Sequence, residues 1–174
     1  ILGFDSVMPE YSVDQEAAAL GCEIDWGDRD RMPDTKFFPH TDFSDVVVPE
    51  DFLEKPSIRV VLDALSILRR HVGGKAAIIG KVMGPWTLSY HVAGTQNFLL
   101  QIGMEEKEKV TKMLRQLVPA TIASARAQFQ AGADIVVLAD HATGNLVGAY
   151  HYEEYLLPIH KELTAAIEGP LILH

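Results

Sequence analysis

Cysteine is almost absent from this 174-residue chain, where Cys22 stands alone. One thiol cannot build a disulfide framework, and such scarcity fits a reducing compartment. Cations are also in short supply, with 15 Lys+Arg against 24 Asp+Glu and a formal net charge of −9. A nucleic-acid backbone is met by clustered Lys and Arg, so this balance argues against DNA or RNA as a partner. No uninterrupted apolar run approaches the ~20 residues a membrane span requires. The N-terminus carries no basic stretch leading into an apolar one, so no secretory leader is expected. The glycines form neither the dinucleotide fingerprint nor the phosphate-loop spacing, and no Ser sits in a nucleophile elbow. Repeats and low-complexity tracts are missing too. What is present is an ordinary globular composition, 48% hydrophobic and 22% charged. A soluble, cytoplasmic domain is the expectation. Residue 1 is Ile, and Leu171-Ile172-Leu173-His174 closes the chain like an unfinished strand. One domain that is incomplete at both ends is therefore expected.

Periodicity supplies the organisation. From Ile58 to Val72 the apolar residues Ile58, Val61, Leu62, Leu65, Leu68 and Val72 follow helical spacing, after Pro56-Ser57 and before Gly73-Gly74. A second helix is predicted from about Glu105 to Gln130, with a stripe of Val110, Met113, Leu117, Ala120, Ala123 and Ala127. Pro119 should kink or split it. A third helix covers about Tyr152 to Ile167, ahead of Gly169-Pro170. Between them lie the apolar runs 76–83 and 133–139, and Leu171-Ile172-Leu173 opens another. Continuous rather than alternating runs are typical of parallel strands covered by helices. The alternation predicts an α/β fold, either a doubly wound sheet or a (β/α)8 barrel, with the strands ending at Met83, Ala139 and His174 neighbouring, parallel and buried. The first third differs. Cys22-Glu23-Ile24-Asp25 reads as a hairpin strand, and residues 28–57 as a functional excursion in which Phe37, Phe38, Phe43 and Phe52 seek burial.

In parallel α/β folds the carboxyl ends of the strands face the site. That rule selects Gly84-Pro85-Trp86-Thr87, Asp140-His141-Ala142-Thr143-Gly144-Asn145 and His174. Asp5 is a fourth place if Ile1-Leu2-Gly3-Phe4 close an earlier strand. Asp140 with His141 suits a general acid–base pair, a metal site or a substrate clamp. A turn or helix cap is an equally good use of Asp140. Neighbouring side chains on an extended chain point apart, so the two should not share a ligand. Trp86 and Tyr90 suit either a pocket wall or the core. Seven histidines are present, and none shares a two-ligand helical spacing or a Cys partner. His71 and His160 read as surface or packing residues, whereas His174 ends a strand where catalytic barrels keep metal ligands.

These residues carry a resemblance. Gly80-Lys81-Val82-Met83-Gly84-Pro85-Trp86-Thr87-Leu88 is similar to the strand-to-helix segment of the uroporphyrinogen decarboxylase superfamily. Gly3-Phe4-Asp5-Ser6 sits where the decarboxylases carry a Phe-Ser-Asp motif, here with Asp directly after Phe4. Within the superfamily, Tyr11-Ser12-Val13, the segment 16–22, Met32-Pro33, the segment 140–147 and Tyr155-Leu156-Leu157-Pro158 resemble the methylcobamide:coenzyme M methyltransferases. The approach to His174 resembles their His-x-Cys strand, whose zinc site is completed by a distant Cys.

The resemblance implies the central portion of a (β/α)8 barrel. It also implies catalytic roles for Asp5 and Asp140, substrate or cofactor contacts from Trp86, Tyr90 and His141, and metal ligation by His174. Its chemistry would be zinc activation of a small thiol such as coenzyme M, which attacks the methyl group of a methylcobamide carried by a corrinoid protein. With only one of the family's ligands present, the chain as given should hold zinc weakly. Two other implications compete: metal-free decarboxylation of a porphyrinogen, resting on Asp5 with Arg29, Arg31 and Arg59 as candidate cations, and a non-catalytic corrinoid-binding module. Asp5, Trp86 and Asp140 are expected to border one cleft.

Overall fold

The computed structural model describes residues 3–9, 12–41, 46–104, 107–145 and 147–174. Ile1, Leu2, Tyr11, Phe43, Glu105 and Leu146, named above, fall outside them. The chain starts with β1 (Ser6–Val7) and α1 (Gln15–Ala19), then β2 (Glu23–Asp25) and β3 (Asp34–Phe37). A 3-10 turn at Phe52–Glu54 leads into α2 (Pro56–Val72), β4 (Ala77–Met83), α3 (Pro85–Ala93), α4 (Thr95–Met104) and α5 (Lys107–Ala131). After β5 (Ile135–Ala139) come α6 (Ala149–His151), a π-helical turn (Tyr152–Leu156), α7 (Leu157–Ala166) and β6 (Leu171–Leu173).

The helices form where apolar spacing and punctuation agree. Pro56 opens α2, where its missing N–H costs nothing, and Gly73 closes it with φ +58°. Ile58, Val61, Leu62 and Leu65 make the buried face of α2. The long α5 runs unsplit through Pro119. Loss of one backbone bond there is outweighed by the burial of Leu117, Val118, Ala120 and Thr121 on both sides of the proline.

β1, β4, β5 and β6 lie in that order in one sheet, every pair parallel. Successive parallel strands joined through helices are the units of a (β/α)8 barrel, and this chain has the fold of its central portion. Strand alternation separates two faces. Ile78, Val82, Val136 and Leu138 are buried toward the helices. Lys81, Met83, Val137 and Ala139 face the opposite, lumen side, where they line a cleft.

β1 pairs only with Ala77 and Ile78, so side chains take over the rest of the β4 edge. Gln128 of α5 accepts from Lys81 N at 2.8 Å and donates to Lys81 O at 2.7 Å. Met83 N donates to Glu16 Oε1 at 3.2 Å, and Thr121 Oγ1 donates to Met83 O at 2.8 Å. Three buried polar side chains thus replace a missing strand, which explains their positions in an otherwise apolar layer.

Two expectations change here. The third strand is in place and parallel, but Ile172 is 45% and Leu173 50% exposed, because no described element packs on that edge of the sheet. The expected hairpin is in place, β2 antiparallel to β3, with β3 inside the excursion. Its phenylalanines divide: Phe52 joins the core, while Phe37 stays exposed because its strand has only β2 for a neighbour.

Candidate active site

The carboxyl ends of β4, β5 and β6 come level with one another. Met83 pairs with Ala139, and Asp140 N donates to His174 O at 3.0 Å. On the lumen side these ends border a cleft of about 330 Å³, lined by Met8, Val13, Lys81, Met83, Thr87, Val137, Ala139, His141 and His174. The walls are apolar, and the polar atoms are concentrated in one lysine, one threonine and two imidazoles. A small ligand with few polar contacts suits such a space.

Asp140 and His141 diverge as an extended backbone demands. His141 lines the cleft, and Thr87 Oγ1 accepts from its backbone N–H at 2.7 Å. Asp140 turns the other way and is buried. Its Oδ1 accepts from Thr87 N at 2.7 Å in the first turn of α3, and its Oδ2 lies 3.0 Å from His160 Nε2. His160 Nδ1 in turn meets Tyr152 Oη at 3.2 Å. Asp140 is therefore a cap, but for the helix after the neighbouring strand rather than its own. Gly84 leaves room for it, since a Cβ there would collide with the carboxyl group.

The other expected site residues separate. Asp5 precedes β1, and Ala77 N donates to its carbonyl at 2.9 Å, which puts it at the amino end of the sheet. The strand starts after Asp5 instead of ending before it, so Asp5 does not border the cleft with Asp140. Trp86 is fully buried and packs edge-to-face on Phe98 with centroids 4.9 Å apart, because α3 is covered on nearly every side. It is a core residue, not a cleft wall. Tyr90 is also buried, its oxygen accepting from Trp86 Nε1 at 2.5 Å and donating to His141 O at 3.2 Å. Burial pushes its phenol above the usual range, and the Asp140 charge adds to that. Tyr90 supports the loop under the cleft from behind. Of the residues expected to catalyse, bind or ligate, His141 and His174 alone line the cleft.

Met8 and Lys81 line the cleft without having been expected there, whereas Thr87 comes from the strand-end segment 84–87 that was. A lysine inside a buried apolar run was a visible signal for Lys81. His160, expected at the surface or in packing, is a buried partner of Asp140.

Zinc can be tested against the donor set. A protein site needs three or four convergent ligands. Among the described residues no three His, Cys, Asp or Glu side chains converge. Cys22 is unsuited to the role: it is buried, its thiol donates to His91 O at 3.3 Å, and burial pushes its pKa to about 12. The described residues by themselves do not fit the ion. No helix among the described residues is long and apolar enough to cross a membrane.

Comparison with known proteins gives a consistent result. The family described as uroporphyrinogen decarboxylase (URO-D) matches residues 1–174. A methylated-thiol:coenzyme M methyltransferase of Methanosarcina mazei is 33% identical over all of this chain and 47% of its own length. A methylcobamide:CoM methyltransferase of Methanosarcina barkeri is 30% identical over 99% of the chain and 51% of its length. A uroporphyrinogen decarboxylase of Carboxydothermus hydrogenoformans is 31% identical over 67% of the chain and 33% of its length. Among solved structures, a methyltransferase from Methanosarcina mazei superposes with a TM-score of 0.92 at 26% identity, covering 99% of this chain and 51% of that one. The chain spans about half the length of the curated methyltransferases it matches.

Proposed function

The chain belongs to the uroporphyrinogen decarboxylase family, and from that premise we propose that the protein carrying it is a cytoplasmic methyltransferase. Its reaction moves a methyl group from a methylated corrinoid protein to a small thiol, with coenzyme M as the model acceptor. Residues 1–174 form part of a single barrel domain in this reading. The observation that carries it is His174: an imidazole at the carboxyl end of a parallel strand, facing an apolar cleft beside His141.

The residues of this chain have assignable tasks. The apolar walls, Met8, Val13, Met83, Val137 and Ala139, exclude water from a small ligand. Thr87 and Tyr90 pin the backbone of His141 from two sides. Asp140 fixes α3, and hence Thr87, and acts as a positioning residue. His174 is proposed as one ligand of a zinc ion whose other donors come from outside residues 1–174; such an ion would hold the acceptor thiol as thiolate.

Decarboxylation of a porphyrinogen is the weaker reading. It rests on Asp5, which lies at the far end of the sheet. Arg31 is engaged with Asp25 and Asp28 in the hairpin, and Arg59 pairs with Asp63 along α2. The test gives the complete protein methylcobalamin with 2-mercaptoethanesulfonate, and separately a porphyrinogen. Thiol-dependent loss of the methyl–cobalt absorption supports methyl transfer. Carbon dioxide release from the porphyrinogen with no thiol methylation overturns it.

A further inference from the structure

Lys81 has no packing reason to be where it is. Lysine is rarely buried unless its charge is compensated. Yet Lys81 sits mid-strand at 8% exposure, between Gly80 and Val82, and is the only Lys, Arg, Asp or Glu among the described residues lining the cleft. Its ammonium donates to Ser12 O at 2.5 Å. A neutral carbonyl occupies one of three donors and cancels none of the charge. Glu16 is the nearby buried acid: its Oε1 accepts from Met83 N, burial raises the pKa of its carboxyl, and the Lys81 charge draws it back down. Among the described residues Lys81 forms no ion pair, and its ammonium lies in an apolar surround, where a charge-assisted hydrogen bond is strongest.

Register places this charge relative to the imidazoles. Lys81 pairs with Val137, and Val137 with Ile172. His174 stands two residues further along β6, so Lys81 lies one lumen layer below it, roughly 7 Å along the strand direction. A cleft of about 330 Å³ has room for a ligand spanning that layer.

We propose that Lys81 is the specificity-determining residue of this cleft: it holds the anionic end of the acceptor, a sulfonate or carboxylate, while the reactive end lies at the level of His141 and His174. The inference rests on the methyl-transfer reading for the identity of the reactive end, but not for the anion site itself. Short thiols ending in an anion are taken in preference to neutral thiols of the same length.

The test uses the complete protein, its Lys81→Met variant and its Lys81→Arg variant. Methyl transfer is followed with 2-mercaptoethanesulfonate, 3-mercaptopropionate and 2-mercaptoethanol, and direct binding with ethanesulfonate and its neutral analogue ethyl methyl sulfone. Lys81→Met should raise KM for both anionic thiols roughly 10-fold or more, as loss of a charged hydrogen bond implies. The KM for 2-mercaptoethanol should rise far less than that for the anionic thiols, since that thiol makes no such bond. Lys81→Arg should restore most of the anionic preference. A difference between the two anionic thiols in wild type tells sulfonate from carboxylate. The proposal is overturned if Lys81→Met affects charged and neutral thiols alike, or neither. Should Lys81→Met not fold, the wild type still decides: ethanesulfonate must bind and the sulfone must not, and equal binding overturns the anion site. If no thiol is methylated but ethanesulfonate binds in a Lys81-dependent way, the methyl-transfer reading fails and the anion site stands.

Discussion

Truncating Asp140 to alanine tests whether it is a clamp or a reacting group. The carboxylate is buried and accepts from Thr87 N at 2.7 Å on one oxygen, with His160 Nε2 at 3.0 Å on the other. Asp140→Ala strands both partners. Loss of a helix cap costs about 1 kcal/mol, and each buried group left unpaired about 1–3 kcal/mol. Water entering the vacated volume recovers part of this, leaving a net loss of about 3–4 kcal/mol. At a typical urea slope of ~2 kcal/mol/M, the midpoint should fall by about 1.5–2 M with an unchanged slope. Asp140→Asn keeps the acceptor for Thr87 N and the side-chain volume, so it should lose only about 1 kcal/mol. His160→Ala should couple to Asp140→Ala, with the double variant less destabilised than the two losses summed. A midpoint shift below about 0.3 M for Asp140→Ala, with catalysis abolished, would refute the clamp. It would return Asp140 to the reacting groups.

Three further expectations concern neighbouring positions. Gly84→Ala drives a Cβ into the Asp140 carboxyl group, and should lower the melting temperature by about 5–10 °C, whereas an unchanged melt would mean that the strand end yields freely. The Cys22 thiol, raised from 9.0 to about 12 mainly by burial, should resist alkylation at pH 8.5 until the protein unfolds. Its contribution to stability is present below pH 9 and lost as pH climbs toward 12, which a pH series of denaturation midpoints would show against Cys22→Ala. The Glu16 carboxyl is raised above 4.5 by burial, so its contribution is present below pH 4.5 and declines as pH rises through the folded-state value. Glu16→Gln keeps an acceptor for Met83 N, and its stability relative to wild type should improve from pH 4.5 upward; a flat difference would contradict this.

The parallel core was readable because β4 and β5 are short apolar runs of β-branched residues set between amphipathic helices. His141 and His174, picked out by the ends of those strands, line the cleft. Asp140 was recognisable as functional or capping, but its partner Thr87 is 53 positions away, and no local pattern reveals a cap that crosses between strands. Asp5 was misplaced because a two-residue strand gives no periodicity, so the reading could not tell whether the strand ended before Asp5 or began after it. Trp86 was drawn to the cleft by its strand-end position. Its helix turned out to be enclosed, with Pro85 through Tyr90 all buried, so the indole is core. The polar seam of Glu16, Gln128 and Thr121 was hidden for a related reason: those side chains answer a vacancy along the β4 edge, and only the tertiary pairing exposes it.

We propose that a thiol is methylated in the cleft at the carboxyl ends of β4, β5 and β6, with His174 part of the machinery. The most direct measurement is His174→Ala in the complete protein, read together as zinc content by mass spectrometry and rate of thiol-dependent demethylation of methylcobalamin. Loss of one of only three or four zinc ligands should strip most of the metal and reduce the rate by about 100-fold or more, with the fold retained. Zinc content and demethylation both equal to wild type would contradict the claim.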